Sequence, residues 1–205
     1  MGLSDRFAGQ LAAPRGRVGQ LLGAAMDVAN ARVVRHAIDL LQPQVAETVL
    51  DAGCGTGAAL AQVRQACPTC RLVGVDRSDV MIAAARRKLG AAASLHVAEI
   101  EQLPVEPGTV DAALVLNVLY FCGQDGAMVR ALHRALRPGG RLVAYITHRE
   151  TMERWPFAHA GFHRLHDAAG LHRLLVQGGF AAENVAVLDR QMAQGIKGLF
   201  ATAIA

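Results

Sequence analysis

From residue 48 onward, short apolar runs alternate with longer stretches in which apolar positions recur at helical spacing. The short runs predict strands at 48–50, 71–75, 94–98, 111–116 and 141–146. The longer stretches predict helices at 57–66, 78–89 and 124–136, the last of them stopped by Arg137-Pro138-Gly139-Gly140. Such alternation is typical of a parallel sheet that carries helices on both faces.

The last two apolar runs follow a different pattern. Residues 185–188 and 199–204 are strand-like, and no full helix fits between them. They predict a closing antiparallel hairpin. The expected fold is therefore α/β, with a doubly wound, mostly parallel seven-stranded sheet that ends in a C-terminal antiparallel hairpin. Residues 1–44 are expected to form an N-terminal helical cap on a single structural domain that spans residues 45–205.

The composition is that of an ordinary globular protein. Hydrophobic residues make up 52% and charged residues 19% of the 205 positions. The formal net charge of +4 is too small to indicate a nucleic-acid-binding protein. Asp5 and Arg6 interrupt the N-terminus before a signal peptide could form, and the apolar run at 112–122 is too short to cross a bilayer. We expect a cytoplasmic location.

Two of the four cysteines, Cys67 and Cys70, have the C-x-x-C spacing of redox and zinc sites. A zinc site would need two further ligands with similar spacing, and the sequence has none. A redox motif is expected at the start of a helix, whereas this one falls where a helix should end. The sequence favours a loop with two thiols, and we predict no metal site.

The clearest chemical signal is the glycine-rich turn Asp51-Ala52-Gly53-Cys54-Gly55-Thr56-Gly57, which follows a strand and opens a helix. Gly53 permits the tight turn, Gly55 lets the backbone approach a ligand, and Gly57 lets the helix pack against a strand. The free amides of a helix N-terminus would face the same crevice. The turn indicates a nucleotide-like ligand beyond the carboxyl ends of the strands.

Two carboxylates narrow the choice of ligand. Asp76, nineteen positions after Gly57, ends the second strand, where it can accept hydrogen bonds from both hydroxyls of a ribose. Asp51 would repel a pyrophosphate but would suit a ligand with an ammonium and a sulfonium group. Gly53-x-Gly55-x-x-Ala58 also fits the looser dinucleotide fingerprint. Asp51, and the little room left for a dehydrogenase's substrate domain, argue against that alternative.

The stretch from Val49 to Gly57 resembles the first motif of the class I S-adenosylmethionine-dependent methyltransferases. Four further features are similar to that family in the same order: Val75-Asp76, Leu103-Pro104, the turn at 136–140 and the terminal hairpin. The resemblance implies a Rossmann-like methyltransferase domain over residues 45–205 and S-adenosyl-L-methionine as the cofactor.

The same resemblance implies a set of cofactor-binding residues. Asp51 and the glycine turn would face the methionine part of the cofactor, and Asp76 the ribose. Glu99 stands where the family usually has an Asp that contacts the adenine amino group, and Asn117 would border both cofactor and substrate. The complete predicted set is Asp51, Gly53, Cys54, Gly55, Gly57, Asp76, Arg77, Glu99, Ile100 and Asn117.

The methyl acceptor is less well defined. Residues 14–41 are similar to the lead-in of quinone-biosynthesis-like methyltransferases, which favours a small-molecule or lipid-like acceptor. A nucleic acid is disfavoured, because Asn117-Val118-Leu119-Tyr120 lacks both prolines of the N-P-P-Y motif that grips a planar amine. A protein acceptor, or a cofactor-binding protein without transferase activity, stays open. The sequence does not indicate an oligomeric state.

A catalytic base is needed only if the acceptor must lose a proton. We predict Tyr120 and His148 as candidates, the latter from an acceptor-binding segment at 147–166 that holds four of the eight histidines. The residues of interest there are Thr147, His148, Arg149, Trp155, Phe157, His159, Phe162, His163 and His166.

The first 41 residues combine several arginines with an apolar stripe of Leu3, Phe7, Leu11, Leu21, Leu22 and Met26. Such a stripe is typical either of a helix that lies on a membrane surface or of one that packs on a sheet. Peripheral membrane contact through the N-terminal helices is therefore one of two interpretations.

Overall fold

The computed structural model describes residues 16–159, 161, 163–192 and 195–205, with side chains from residue 26 onward. Seven strands form one sheet in the order β3-β2-β1-β4-β5-β7-β6. Only β7 runs antiparallel to its neighbours, β5 and β6, which confirms the predicted fold class. The strands are β1 Thr48–Ala52, β2 Arg71–Asp76, β3 Ala93–Val97, β4 Val110–Leu116, β5 Leu136–Thr147, β6 Val185–Gln191 and β7 Lys197–Ile204.

The helices cover both faces of the sheet. On one face lie α1, α2 and α3, and on the other α4 and α6. Strand β4 serves both layers, since Ala112 and Leu114 are buried against the first and Ala113 and Val115 against the second. The helices are α1 Gly16–Leu41, α2 Ala58–Ala66, α3 Asp79–Leu89, α4 Ala127–Ala135, α5 Arg149–Met152 and α6 Ala168–Gln177.

The C-terminal half of α1 is part of the core. Its apolar stripe, with the helical spacing that sequence periodicity detects, is buried on the sheet through Val33, Val34, Ala37, Ile38 and Leu41. These residues of α1 therefore pack on the sheet. Leu3, Phe7 and Leu11 lie outside the described residues, as do the side chains of Leu21 and Leu22. No helix of the described chain is long and apolar enough to cross a membrane.

Arg141 fixes the end of α1. Its guanidinium donates to the carbonyl oxygens of Leu41 (2.6 Å) and Gln42 (2.8 Å) and pairs with both carboxylate oxygens of Glu47 at 2.7 and 2.6 Å. These bonds satisfy carbonyls that a helix C-terminus otherwise leaves unpaired. The cap helix is therefore tied to β5 at this end. The predicted boundary of the cap at residue 44 stays a prediction.

The fifth strand starts earlier than predicted. The segment Arg137-Pro138-Gly139-Gly140, expected as a turn, lies within β5, and α4 covers only 127–135 of the predicted 124–136. The register explains the difference, because Val110 pairs with Leu136 while Ala112 pairs with Arg141. The extra residues bulge out, and Gly139 and Gly140 exchange hydrogen bonds with Ala205 at the end of the chain. Because Ala205 is distant from these glycines in the chain, the local sequence around residues 137–140 does not indicate this pairing.

Candidate active site

Three polar side chains meet at the carboxyl edge of the sheet. Asp51 lies near the end of β1, Asp76 ends β2 and Asn117 follows β4, and these strands are neighbours in the sheet. They border a cavity of about 200 Å³, here called the cofactor cavity. It lies where ligands bind in open α/β sheets. Of the predicted cofactor-binding residues, Asp51, Gly53, Cys54, Gly55, Asp76, Arg77, Glu99, Ile100 and Asn117 line it.

The glycine turn is held by its neighbours in the backbone. The amides of Gly53 and Cys54 both donate to the Val75 carbonyl oxygen, at 2.7 and 3.0 Å. Gly53 has a φ of +82°, and a Cβ there would lie 2.3 Å from Cγ2 of Val118. Gly55 also has a positive φ, +51°, but a Cβ there would meet nothing within 4 Å. Gly53 is thus required by the fold, whereas Gly55 leaves an open approach to its backbone.

Gly57 has another role than predicted. Its φ of +78° starts α2, and a Cβ there would lie 2.9 Å from Cδ1 of Leu89 and 3.1 Å from Cβ of Ala85. The close approach is therefore between α2 and α3, not between a helix and a strand. Gly57 does not line the cofactor cavity, and the structure gives it a packing role; its contact with the cofactor stays a prediction.

Asp51 and Asp76 give the cavity a strongly acidic character. Asp51 is only 2% exposed, and burial, together with the nearby charge of Asp76, raises its pKa to about 7. Burial also raises the pKa of Asp76, against the opposing effect of two backbone amides, Ser78 and Gly55, each 2.9 Å from one of its oxygens. A ligand with a positive charge would relieve the cost of ionising Asp51.

The far end of the cavity is formed by Arg77, Glu99 and Ile100. Glu99 pairs with Arg77 at 3.4 Å, and both side chains are about half exposed. Ile100 is buried and contributes an apolar surface to the cavity. Glu99, predicted to bind the cofactor, thus lines the cavity at its exposed rim and pairs there with Arg77.

The cap helix forms one wall of the cofactor cavity, and its Asp27 was not among the predicted site residues. Asp27 lines the cofactor cavity and accepts hydrogen bonds from Thr56 Oγ1 at 2.6 Å and from Lys88 Nζ at 2.9 Å. Lys88 Nζ also donates to Thr56 Oγ1 at 3.0 Å. We call these three residues the cap latch, because they join α1 to the glycine turn and to α3. The spacing of Asp27, Asn30 and Val34 on one helix face was the available signal.

A second cavity of about 610 Å³, here called the acceptor cavity, adjoins the first. The two share four lining residues, Met26, Asn30, Asn117 and Phe121. The acceptor cavity is largely aromatic, and Trp155 stacks on Phe157 with ring centroids 5.4 Å apart. Its remaining lining residues include Arg32, Tyr120, Tyr145, Thr147, Met152, His163, Met192 and Ile196. Tyr145, Met192 and Ile196 were not predicted, since they come from distant strands and loops.

Tyr120 is a buried hydrogen-bonding residue of this second cavity. Its hydroxyl donates to Asn117 Oδ1 at 3.3 Å and accepts a hydrogen bond from the Thr147 amide. Burial raises the pKa of the phenol far above its ordinary value, so it stays protonated at neutral pH. The geometry therefore fits a residue that positions Asn117, rather than the proton acceptor that the sequence suggested.

His148, the other predicted catalytic residue, lines neither cavity. Its Nδ1 accepts a hydrogen bond from the Glu150 amide at 3.1 Å and thereby caps the start of α5. The structure thus shows a capping role, and the catalytic role of His148 stays a prediction. Of the predicted acceptor-binding segment, Thr147, Trp155, Phe157 and His163 line the acceptor cavity, Arg149, His159 and His166 do not, and Phe162 lies outside the described residues.

The C-x-x-C pair lies away from both cavities. Cys67 and Cys70 follow α2 in a turn, and both thiols donate to the carbonyl oxygen of Gln44, at 3.3 and 3.1 Å. They join this turn to the connection between α1 and β1. Within the described part of the chain, no group of three or more His, Cys, Asp or Glu side chains could hold a metal ion.

Comparisons with known proteins agree with this geometry. Residues 49–140 match the family model described as a methyltransferase domain. A demethylmenaquinone methyltransferase of Thermus thermophilus is 34% identical over 120 residues, 56% of this chain and 54% of that protein. A malonyl-[acyl-carrier protein] O-methyltransferase of Pseudescherichia vulneris is 34% identical over 122 residues, 58% of this chain and 47% of that protein.

A similar fold is seen in the complex between the Haloferax volcanii Trm112 methyltransferase activator and a putative methyltransferase. The TM-score is 0.78 at 18% identity, over 100% of this chain and 98% of that one. Residues 49–140 thus carry a methyltransferase domain, and the chain is similar to S-adenosylmethionine-dependent methyltransferases, whose cofactor is S-adenosylmethionine. These matches argue against the alternative that the glycine turn binds a dinucleotide. The match spans about half the length of these two curated relatives.

Proposed function

We propose that this protein transfers a methyl group from S-adenosylmethionine to a small, largely apolar molecule bound in the acceptor cavity. The observation that carries the proposal is the shared wall of the two cavities. A ligand on each side of Asn30, Asn117 and Phe121 would place donor and acceptor next to each other. Methyl transfer depends chiefly on such placement, because the methyl group is already activated.

The residues of the cofactor cavity fit S-adenosylmethionine. The open approach to the backbone of Gly55 and the buried carboxylate of Asp51 suit its methionine part, with a positive ammonium group. Asp76 uses one lone pair of each oxygen on a backbone amide, which leaves the other lone pairs for two ribose hydroxyls. Arg77, Glu99 and Ile100 would hold the adenine. When bound, the cofactor supplies a methyl group on a positively charged sulfonium sulfur.

The chain's own residues would orient the reactants and exclude water. The cap latch holds α1 over the cofactor cavity. Tyr120 and Asn30 fix the amide of Asn117 at the boundary of the two cavities. The aromatic lining of the acceptor cavity would keep a flat or lipid-like molecule in a dry environment, which strengthens every polar interaction there.

The lining also favours a small molecule over a polymer. Arg32 is the one charged residue among the described residues that line the acceptor cavity, so no basic stripe is available for a phosphate backbone. The names of the two curated relatives, a quinone and an acyl-carrier-protein methyltransferase, support a small or lipid-like acceptor. Val28, 80% exposed on α1 beside this cavity, offers an apolar entrance for such a molecule.

Calorimetry tests the cofactor part of the proposal. We expect S-adenosylmethionine and S-adenosylhomocysteine to bind in the micromolar range and NAD not to bind. Incubation with methyl-labelled cofactor and fractionated extracts of small molecules and lipids then tests transfer. Label that appears only in protein or nucleic acid would contradict a small-molecule acceptor, and binding of NAD alone would contradict the whole proposal.

A lipid-like acceptor also raises the possibility of work at a membrane surface. Sedimentation with liposomes of neutral and of anionic lipid tests this, with full-length protein and a variant that lacks residues 1–26. We expect the deletion to reduce sedimentation if the N-terminal residues bind the membrane. Unchanged sedimentation after the deletion would count against that role.

A further inference from the structure

His163 is the histidine that the structure places in the acceptor cavity. Its ring lies against three aromatic neighbours, with centroids 5.8 Å from Tyr120, 5.1 Å from Phe121 and 5.8 Å from Phe157. The next amide along the chain, that of Arg164, donates to the Tyr120 carbonyl oxygen at 2.8 Å, which fixes this segment. The imidazole is thus held in a defined place on the cavity wall.

One ring nitrogen of His163 has no protein partner. Its Nδ1 is buried and forms no hydrogen bond to any of the residues that the structure describes. A buried polar atom without a partner is costly, and in native proteins it usually has a ligand, a water molecule or a catalytic role. His163 itself lines the acceptor cavity, which favours a role of its imidazole toward the acceptor.

The other titratable groups of the cavity cannot accept a proton near neutral pH. Arg32, from α1, offers only N–H donors and no acceptor atom, and burial raises the pKa values of both tyrosine phenols, Tyr120 and Tyr145. Burial lowers the pKa of His163, so its imidazole is neutral at pH 7. No carboxylate belongs to the described lining.

We infer that His163 is the general base of the acceptor cavity and that the acceptor is a flat molecule with an acidic hydroxyl, such as a phenol or an enol, methylated on oxygen. This inference rests on the proposed function and deepens it. A protonated amine fits the cavity less well, because no described lining carboxylate would balance its charge and Arg32 would repel it. The same arginine would stabilise a phenolate.

The proton and electron balance of this step is simple. As the hydroxyl proton passes to the imidazole of His163, the acceptor oxygen forms a bond to the methyl carbon. The bond from that carbon to the sulfonium sulfur breaks, and its electron pair goes to the sulfur. The products are a methyl ether, S-adenosylhomocysteine and a protonated His163, which then returns its proton to the solvent.

A binding experiment tests the base without turnover. A panel of nitrophenols, whose phenolate forms absorb at longer wavelength than their neutral forms, is titrated into the protein saturated with S-adenosylhomocysteine. At a pH below the free pKa of the phenol, the wild type is expected to shift bound nitrophenol toward the phenolate. His163→Gln, which cannot accept the proton, should lose the shift, whereas His172→Gln, on α6 and lining neither cavity, should keep it.

Turnover of the same panel gives a second readout. General-base catalysis contributes about 10²- to 10⁴-fold in rate. We expect His163→Gln to lose about 100-fold or more with weakly acidic phenols but to approach the wild-type rate with phenols that are already ionised at the assay pH. The acid limb of the pH–rate profile should disappear in this variant.

The outcomes separate this inference from the proposed function. If the wild type binds no S-adenosylmethionine, the proposed function fails. If it binds the cofactor but no phenol, or methylates amines and not phenols, the assigned acceptor class is wrong. An equal loss by His163→Gln with weak and strongly acidic phenols would reduce His163 to a packing residue.

Discussion

The side-chain amide of Asn117 donates a hydrogen bond to Asn30 Oδ1 at 3.2 Å, across the wall that the cofactor and acceptor cavities share. Asn117 follows β4 and Asn30 belongs to α1, so this bond joins the sheet edge to the cap helix. Asn117 has a φ of +59°, a conformation that asparagine tolerates better than other non-glycine residues. The position of the cap and the boundary between the two cavities are therefore linked through one side chain.

Tyr120→Phe should separate positioning from proton transfer. The change leaves Asn117 Oδ1 without its tyrosine donor and the Thr147 amide without its acceptor, which costs about 1–3 kcal/mol of stability. We expect a lower kcat with an unchanged affinity for S-adenosylmethionine and an unchanged pH–rate profile. Steady-state kinetics and calorimetry would test this. Loss of the acid limb of the profile would instead identify Tyr120 as the base.

Asp51→Asn should stabilise the free protein and weaken cofactor binding. The folded-state pKa of Asp51 is raised to about 7 from an ordinary 3.8, so the protonated carboxyl favours folding. Its contribution is complete below about pH 4 and is lost as the pH rises through 7, a difference of up to about 4 kcal/mol. The variant should therefore be the more stable protein at pH 8 without ligand.

Urea unfolding of both proteins between pH 4 and pH 8 measures this difference. Saturating S-adenosylmethionine should reverse the order at pH 8, because only the wild type offers a charge to the ammonium group. An Asp51→Asn protein that is less stable than the wild type at every pH would show that the raised pKa is not the dominant effect.

The parts of the site that the sequence predicted are local in the chain. Asp51, Gly53 and Gly55 lie within five residues, and Asp76 ends the next strand, so spacing alone located them. Asp27 reaches the cofactor cavity only because α1 folds back over the sheet. Such contacts depend on helix packing rather than on a sequence motif.

Two histidines of the predicted acceptor-binding segment also show what the sequence alone does not determine. His148 and His163 both belong to the predicted segment, and composition does not distinguish them. Helix α5 starts directly after His148 and takes its ring as an N-cap, while the chain then returns past Trp155 to place His163 in the cavity. Which of the two histidines reaches the cavity therefore depends on the path of the backbone in three dimensions, not on the composition of the segment.

Asp76→Asn should weaken cofactor binding without abolishing the fold. The amide would keep one acceptor oxygen where the carboxylate has two, so the Gly55 amide and the ribose would compete for fewer lone pairs. Hydrogen bonds to a charged group are worth about 1.5–3 kcal/mol, which corresponds to a loss of about 10- to 100-fold in affinity. Calorimetry would measure it.

Asp79→Asn is the matched control for this change. It removes an exposed carboxylate three residues further along that does not line the cofactor cavity. Its affinity for S-adenosylmethionine should equal that of the wild type. Equal losses in the two variants would mean that general charge, rather than Asp76, governs the binding.

Gly53→Ala should be far more damaging than Gly55→Ala. Both changes impose a positive φ on alanine, at a cost of about 1–2 kcal/mol, but only the Cβ at Gly53 meets an atom, Cγ2 of Val118 at 2.3 Å. Thermal unfolding should show the difference. The double variant Gly53→Ala with Val118→Ala should recover part of the loss, and no recovery would refute the steric explanation.

Lys88→Met should loosen the cap helix. The change removes the ammonium group that bonds both Asp27 and Thr56, and leaves only the bond between those two residues to hold α1 over the glycine turn. The pair is partly exposed, so the loss is about 0.3–1 kcal/mol. We expect roughly 2- to 5-fold weaker binding of S-adenosylmethionine, with a faster dissociation rate.

Arg87→Met, on the same helix, makes the same change of charge at an exposed side chain outside the cap latch. Hydrogen exchange should distinguish the two variants, because only Lys88→Met should reduce amide protection around Asp27 and Asn30. High salt should shrink the difference in affinity, since it screens the exposed ion pair. If both variants weaken binding equally, the effect belongs to the overall field of α3, and the cap latch is not what holds the helix closed.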